Sequence, residues 1–166
     1  MSVEVLEGPA GEPVSLAEAK LYLRVEHDAE DSLIAALMQA AREAVERLTG
    51  RAFITRRLRE RVRAEQVRAG RLRLAFSPLR AVERVALNGT PIAATSEAEP
   101  AVLLFETALP PGELVVEYAA GYGPPGEAPA MLKDAVLAVV AKAYDAREGV
   151  QAQAQPALRL YQEPRL

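Results

Sequence analysis

The sequence contains no cysteine among its 166 residues and only one histidine, His27. It therefore has no disulfide framework, no thiolate metal site and no cysteine nucleophile. His27 stands beside Glu26 and Asp28, just before an expected helix, and nothing in the sequence marks partners for a Ser-His-Asp arrangement. No pair of carboxylates is placed for acid–base catalysis, and the spacing of a calcium loop is missing. We therefore predict no metal, no cofactor and no enzymatic activity.

Long apolar runs are also missing. The longest one is far short of the ~20 residues that cross a bilayer. The first residues, MSVEVLEGPAGEP, lack the basic and apolar regions of a signal peptide. These features predict a protein that avoids membranes and is made and used in the cytoplasm, or in a structure that is assembled there.

Lysine is scarce, with three residues, and arginine is concentrated in one window of the chain. Residues 51–84 contain eleven Arg and three Glu, a net charge of +8, whereas the rest of the chain carries −11. The two values give the net charge of −3 for the whole chain. A basic middle between acidic ends is typical either of a nucleic-acid surface or of subunits that join an acidic face to a basic one.

One short stretch, GYGPPG at residues 121–126, matches the dinucleotide-binding pattern G-x-G-x-x-G. A phosphate loop needs successive backbone N–H groups, and the two prolines here have none. Glu127 would place a carboxylate where a pyrophosphate should lie. We interpret the stretch as a wide turn between a strand and a helix, with Pro129 as the first helical residue.

Three helices are predicted from the spacing of apolar residues. Ser15 and Glu18 form an S-x-x-E capping box at the start of a short helix over about 15–24. A second helix of about 20 residues begins after Asp28 as its N-cap and ends at Gly50. Its polar face carries Arg42, Glu43, Glu46 and Arg47. The third helix runs from about Pro129 to Glu148.

Between the second and third helices the pattern changes to a period of two, which is typical of strands. Arg57, Arg59, Arg61 and Arg63 fall on one face of a strand, while Leu58 and Val62 fall on the other. Arg71 and Arg73 alternate with leucines in the next strand. Asn88-Gly89 is a strong hairpin signal. Together with VLLFE and ELVVEYAA, these segments predict a small, mainly antiparallel sheet of about five or six strands, near which Tyr118 and Tyr122 pack at the edge.

The predicted fold class is α+β, with the sheet inserted between the second and third helices. We expect a single domain over residues 1–149, whose first twelve residues form a flexible or docking arm. Residues 150–166 form an extended tail without helical periodicity.

The arginine-rich strands are the main candidate for a functional surface. Arginine in place of lysine favours bidentate pairing with carboxylates or phosphates. A solvated sheet face remains an open alternative. Direct nucleic-acid binding lacks a basic recognition helix and aromatic residues that stack bases. An interface between subunits fits the charge distribution better, with Arg57, Arg59, Arg61, Arg63, Arg71 and Arg73 as its candidate residues.

An ordered set of motifs resembles phage head–tail connector proteins, also called adaptor or head-completion proteins. The stretch PVSLAEAKLYLRVEHDAEDSLIAALMQAAREAVERLTGRAFIT resembles the N-terminal signature of that family, and SPLRAVERVALNG, VVEYAAGYG and YDARE follow in the family's order. The resemblance covers about two thirds of the chain. It fades between about 90 and 112, and AEQVRAGR looks particular to this sequence.

The resemblance implies a structural protein without a cofactor. It would form a ring, commonly twelvefold, beneath the portal protein of a phage, a prophage remnant or a gene-transfer particle. The ring would extend the DNA channel, without sequence-specific DNA binding, and offer a surface to the next tail-side protein. In relatives the C-terminal segment docks on the portal, which would make Leu158, Leu160, Tyr161 and Leu166 the anchors here. A DNA-binding regulator that uses residues 51–84, and a small enzyme, remain the alternatives.

Overall fold

The computed structural model of the chain describes residues 2–146 and has the α+β class that the sequence predicts. Three helices are present in this part: α1 (Leu16–Leu23), α2 (Asp31–Thr49) and α3 (Ala130–Asp145). The strands are β1 (Ser2–Glu7), β2 (Arg56–Arg63), β3 (Arg71–Arg73), β4 (Leu79–Leu87), β5 (Thr90–Pro91), β6 (Thr95–Glu97), β7 (Val102–Leu104) and β8 (Glu113–Ala120).

The chain divides into two compact units. Among the described residues, the sheet unit comprises residues 2–10 and 55–122, and the helical unit comprises residues 11–54 and 123–146. Whether residues 1–149 behave as a single connector domain stays a prediction, and the tail over 150–166 lies outside the described residues.

The helical unit begins with the predicted capping box. The Ser15 hydroxyl accepts from the Glu18 N–H, and the Glu18 carboxylate accepts from the Ser15 N–H over 2.7 Å, so two backbone donors at the start of α1 are satisfied. Gly50 ends α2 with φ of 66°, a left-handed conformation that glycine adopts without a steric penalty. The buried stripes of α2 and α3 contain Ile34, Met38, Ala41, Val45, Leu132, Val136 and Val140.

Two helix boundaries differ from the prediction. Glu30, not Asp28, occupies the N-cap position of α2, because the Asp28 carboxylate is bound by Lys20 over 2.5 Å. Pro129 is the N-cap of α3 rather than its first helical residue. Lys20, which lies ahead of the helix, thus binds the Asp28 carboxylate that the local sequence marks as the cap.

The sheet unit contains two antiparallel sheets instead of the single sheet that was expected. One has five strands in the order β1-β2-β8-β4-β5, and the other has three in the order β3-β7-β6. The Asn88-Gly89 hairpin joins β4 to β5, with Leu87 opposite Thr90, as predicted. Tyr118 is fully buried on β8, a central strand, so the prediction that it packs at a sheet edge was wrong.

Residues 1–12 were expected to form a flexible or docking arm, and the first part of this segment is a strand of the sheet instead of a flexible arm. Residues Ser2–Glu7 form β1, which pairs with β2 and precedes α1. The segment alternates Val3 and Val5 with Ser2 and Glu4, a period of two in a stretch too short to stand out beside the following Gly-Pro residues. Pairing with β2 satisfies the backbone groups that an isolated arm would leave to water.

Candidate functional site

The arginine face, defined here as Arg57, Arg59, Arg61 and Arg63, lies on the exposed side of β2. Along the strand, buried and more exposed residues alternate, and Leu58 and Val62 lie on the buried side. This arrangement confirms that the four arginines share one face of the strand and that Leu58 and Val62 lie on the other. What surrounds the four guanidinium groups determines how they can act.

Arg57 is engaged by a carboxylate of its own chain. Its Nε donates to Glu83 Oε1 over 2.9 Å, and its Nη2 donates to Oε2 over 2.6 Å. This hydrogen bonding raises the pKa of Arg57 and lowers the pKa of Glu83. Two parallel N–H···O bonds hold the guanidinium in one plane, which restricts it from approaching a partner's carboxylate.

Arg59 lies between two carboxylates on the neighbouring strands. Its Nε donates to Glu117 on β8 over 2.9 Å, and its Nη1 donates to Glu4 on β1 over 3.3 Å. The bond to Glu117 is the main cause of the raised pKa of Arg59. In the strand register, Glu4 is opposite Arg59, Arg59 is opposite Glu117, and Glu117 is opposite Arg84. These four residues form a row of alternating charge across four strands, called the charge row below.

The end of β2 is more open. Arg61 is 3.8 Å from the Glu113 carboxylate, and Arg63 has no carboxylate within ion-pair distance among residues 2–146. Both side chains line an open cleft of about 480 Å³, whose other lining residues are Ser2, Val62, Glu65, Gly112 and Glu113. The cleft carries charges of both signs, which favours a protein partner over a polyanion.

Arg71 and Arg73 belong to β3 of the three-stranded sheet, so the structure does not place them on the same sheet as the arginine face. Arg71 donates to Glu97 on β6 over 2.7 Å. The six predicted residues therefore lie on two different sheets of the sheet unit. Their role in subunit contacts stays a prediction.

The charge of the sheet unit is balanced. Residues 1–10 and 55–122 contain ten Arg and ten Glu, a formal charge of zero. The strongly basic window of the sequence is neutralised by glutamates that lie outside it, among them Glu4, Glu97, Glu113 and Glu117. The sheet unit as a whole thus lacks the positive charge that non-specific DNA binding requires.

Buried polar groups lie on the opposite side of β2, where the sequence analysis missed them. Glu60 is fully buried, and its Oε2 accepts from the Tyr118 hydroxyl over 3.1 Å and from the Ala75 N–H over 3.0 Å. Burial raises the pKa of Glu60 and also that of Tyr118. Nearby, the Arg56 guanidinium lies 4.7 Å from the centre of the Phe76 ring. The signal was present in the sequence, since Arg56 and Glu60 occupy the apolar phase of the alternation.

A second buried network lies in the helical unit and corrects the expected polar face of α2. Arg42 and Glu46 are buried, with 4% and 2% of their surface exposed. Arg42 donates to Glu12 over 2.8 Å and to Glu46 over 2.9 Å, and Glu46 also accepts from the Phe53 N–H. Although burial lowers the pKa of Arg42, its contacts with Glu12 and Glu46 raise it overall. These contacts tie the C-terminal half of α2 to Glu12, ahead of α1, and to Phe53, which follows α2.

The GYGPPG stretch connects β8 to α3 as a turn. Gly121 and Gly123 adopt positive φ values of 137° and 145°, and Pro125–Glu127 form a single 3₁₀ turn. The Glu127 carboxylate fills the space that a Cβ atom at Gly123 would occupy. A side chain of the turn itself therefore occupies the space beside Gly123.

His27 is largely exposed, and its Nε2 lies 3.9 Å from Glu30 Oε2. Within residues 2–146, no group of three or more His, Asp or Glu side chains is arranged to hold a metal ion. None of the helices in the same range has the length and apolar character of a membrane span. The four predicted docking residues, Leu158, Leu160, Tyr161 and Leu166, lie outside the described residues.

Comparison with known proteins gives one matching family and one matching fold. A family model described as head completion protein matches residues 13–154. No curated protein matches the chain. Three solved structures have the same fold. Each alignment covers 100% of this chain and 97% of the solved chain. The first, from the virion of a native gene transfer agent (GTA) particle, has a TM-score of 0.82 at 23% identity.

The other two structures come from particle necks. One belongs to the neck of an empty GTA particle computed with C6 symmetry, with a TM-score of 0.79 and 23% identity. The other belongs to the neck of a native GTA particle computed with C12 symmetry, with a TM-score of 0.77 and 21% identity. At these identities, the likeness shows that the chains share a fold.

Proposed function

The chain belongs to the head completion protein family and has a head–tail connector role, and we propose that it fulfils this role as a ring in the neck of a phage-like particle. The ring lies between the portal protein and the next tail-side protein, and DNA passes through its channel. The observation that carries this proposal is the family match, which spans residues 13–154, nearly the whole chain.

The ring arrangement is supported by the symmetry of the related particles. Chains of the same fold occur in GTA necks computed with C6 and C12 symmetry. A dodecamer is compatible with both symmetries, because sixfold symmetry is contained in twelvefold symmetry. We therefore propose twelve copies in the assembled state, within a particle that is put together in the bacterial cytoplasm.

The charges of the sheet unit favour protein contacts over DNA binding as its function. Arg57 and Arg59 already hold carboxylates of their own chain, and the unit carries equal numbers of Arg and Glu. Such a surface guides the orientation of a protein partner and penalises wrong partners. A regulator that binds DNA through residues 51–84 would need an arginine face free of carboxylates, whereas Arg57 and Arg59 are already paired.

The tail supplies the proposed contact with the portal. Residues 156–166 contain four apolar side chains, Leu158, Leu160, Tyr161 and Leu166, and two prolines, Pro156 and Pro164. Full burial of each such side chain contributes about 1.5–3 kcal/mol, so that a few anchors can hold an extended segment on another protein. This proposal rests on the resemblance to relatives whose C-terminal segment docks on the portal.

The function is tested by removing the gene from the particle-producing cell and restoring it in trans. Without the protein, we expect DNA-filled heads and separate tails in electron micrographs, and joined particles when the full-length chain is supplied. A control strain carries the exposed substitution Arg68→Glu, which should restore joining. Joined, infectious or gene-transferring particles in the strain that lacks the protein would contradict the proposal.

A further inference from the structure

The five-stranded sheet has two edges that lack a strand partner within residues 2–146. One edge is β1. The other is the first part of β4, because β5 pairs only with Ala86 and Leu87. On that side, the Ile92 N–H donates to the Val85 carbonyl, and the Leu79 N–H donates to the Ala98 carbonyl. Residues 80–84, which lie between these two bonds, have no strand partner on that side among the described residues. Open edges are sites where another chain can add.

The direction of the strands allows the two edges to meet. β1, β2, β8 and β4 are antiparallel neighbours in that order, so that β4 runs opposite to β1. A second copy placed in the same orientation beside β4 would therefore present its β1 as an antiparallel neighbour. Such head-to-tail contacts join different surfaces of identical subunits and close into a ring when the rotation permits.

The charge row makes the two edges complementary. It begins with Glu4 at the β1 edge, continues through Arg59 and Glu117, and ends with Arg84 at the β4 edge. Arg84 is exposed and has no carboxylate within ion-pair distance among the described residues. A second copy would bring its Glu4 opposite Arg84, and the alternation of charge would continue without a break.

The apolar side of the sheet also makes the β1 edge and the β4 edge complementary. Val5 is opposite Leu58, Leu58 is opposite Tyr118, and Tyr118 is opposite Val82. Val5 at the β1 edge is 54% exposed, although the two central members of this row are fully buried. Val82 at the β4 edge is partly exposed. Because β4 holds one extra residue between Val82 and Arg84, a second copy whose Glu4 lies opposite Arg84 brings its Val5 opposite Val82 and covers both terminal valines.

We propose that the ring is built by pairing the β1 edge of one copy with the β4 edge of the next, so that Glu4 faces Arg84 at every junction. The inference rests on the proposed ring function and specifies how the ring is closed. β4 has irregular register between Leu79 and Ala81 and between Val82 and Arg84. Such bulges bend a strand, which accommodates the turn that each junction of a closed ring requires.

The first test uses charge reversal in separate chains. Arg84→Glu and Glu4→Arg each place like charges at every junction, so each variant alone should form rings at a level about tenfold or more below wild type. In an equimolar mixture, alternating copies restore opposite charges at every junction. At one junction the two substituted side chains face each other, and at the next the natural Arg84 faces the natural Glu4. Rings should therefore return in the mixture, whereas Arg68→Glu alone should assemble normally.

The second test uses cysteines, which the natural chain lacks. Directly opposed residues of antiparallel strands have Cα atoms about 4.5–5.5 Å apart, within reach of a disulfide. Particles that carry Val5→Cys together with Val82→Cys should yield a ladder of linked copies on a non-reducing gel. The ladder should collapse to monomer with reductant, and either cysteine variant alone should give no ladder.

The outcomes separate this inference from the proposed function. Rings that are visible in the particles but give no cysteine ladder, or a mixture of charge variants that fails to reassemble, would overturn the edge-to-edge contact and leave the connector role intact. Particles whose necks contain no ring of this protein would overturn the proposed function itself. A ladder together with rescue in the mixture supports both.

Discussion

The buried contact between Tyr118 and Glu60 allows a quantitative test of the sheet unit. Tyr118→Phe removes one hydroxyl from a fully buried side chain and leaves its ring in place. The hydroxyl donates to Glu60 Oε2 over 3.1 Å, while Oε1 has no hydrogen-bond partner among the described residues. A hydrogen bond to a charged group contributes about 1.5–3 kcal/mol, so the free energy of unfolding should decrease by that amount when Glu60 is ionised, and pH 8 is the alkaline condition of the test.

The cost of Tyr118→Phe should become smaller in acid. Burial holds the pKa of Glu60 above its usual value of 4.5, and the Tyr118 hydrogen bond opposes that shift. Removing the hydroxyl raises the pKa of Glu60 further, so the folded variant binds a proton more readily than the folded wild type. The loss of stability is therefore largest above the raised pKa and decreases as the pH falls through it towards 4.5.

Thermal unfolding followed by circular dichroism at pH 8 and pH 5 measures this difference. For a chain of this length, 1 kcal/mol changes the Tm by about 2–4 °C, so Tyr118→Phe should lower the Tm by about 3–12 °C at pH 8. Tyr22→Phe, on an exposed ring, serves as the control and should leave the Tm unchanged. A wild-type Tm for Tyr118→Phe at pH 8, or a deficit that grows as the pH falls, would refute the assigned role of the contact.

Three further predictions concern other parts of the chain. Ser15→Ala should lower the free energy of unfolding by about 1 kcal/mol in urea, because the α1 cap is lost. The control Ser32→Ala in α2 should be nearly neutral, and equal effects of the two substitutions would contradict the capping role of Ser15. The raised pKa of Glu60 predicts that the stability of the wild type declines as the pH rises from 4.5 towards that pKa, and Glu60→Gln should abolish this decline; an unchanged pH profile would contradict the assignment to Glu60. Deletion of residues 156–166 should leave a folded protein with a nearly unchanged Tm that no longer joins heads to tails. Unfolding would place the tail in the core, and complete particles would place the portal contact elsewhere.

Local signals in the sequence predicted much of the fold. The Ser15 capping box, Gly50 at the end of α2 and the Asn88-Gly89 hairpin depend on residues close together in the chain, and the structure confirms all three. The same holds for the placement of the four arginines opposite Leu58 and Val62 on β2, because strand geometry alone imposes it.

The features that the sequence did not reveal depend on contacts between distant segments. β1 is stabilised by β2, which lies far along the chain, and appears as an arm when read alone. Arg42 carries a charge that suggests exposure, yet Glu12 and Glu46 allow it to be buried. Likewise, Arg59 is neutralised by Glu4 and Glu117, which no local pattern links to it. The basic window of the sequence therefore did not predict a basic surface.

A reconstruction of the particle neck by electron cryomicroscopy tests the central claim most directly. Particles that carry the full-length chain with a small tag inserted in the exposed turn at Ala69 would be compared with untagged particles. The account predicts a ring of twelve copies between capsid and tail, with the β1 edge of each copy beside β4 of the next. Density for the protein in the capsid shell or the tail tube, or a complete neck without it, would contradict the claim.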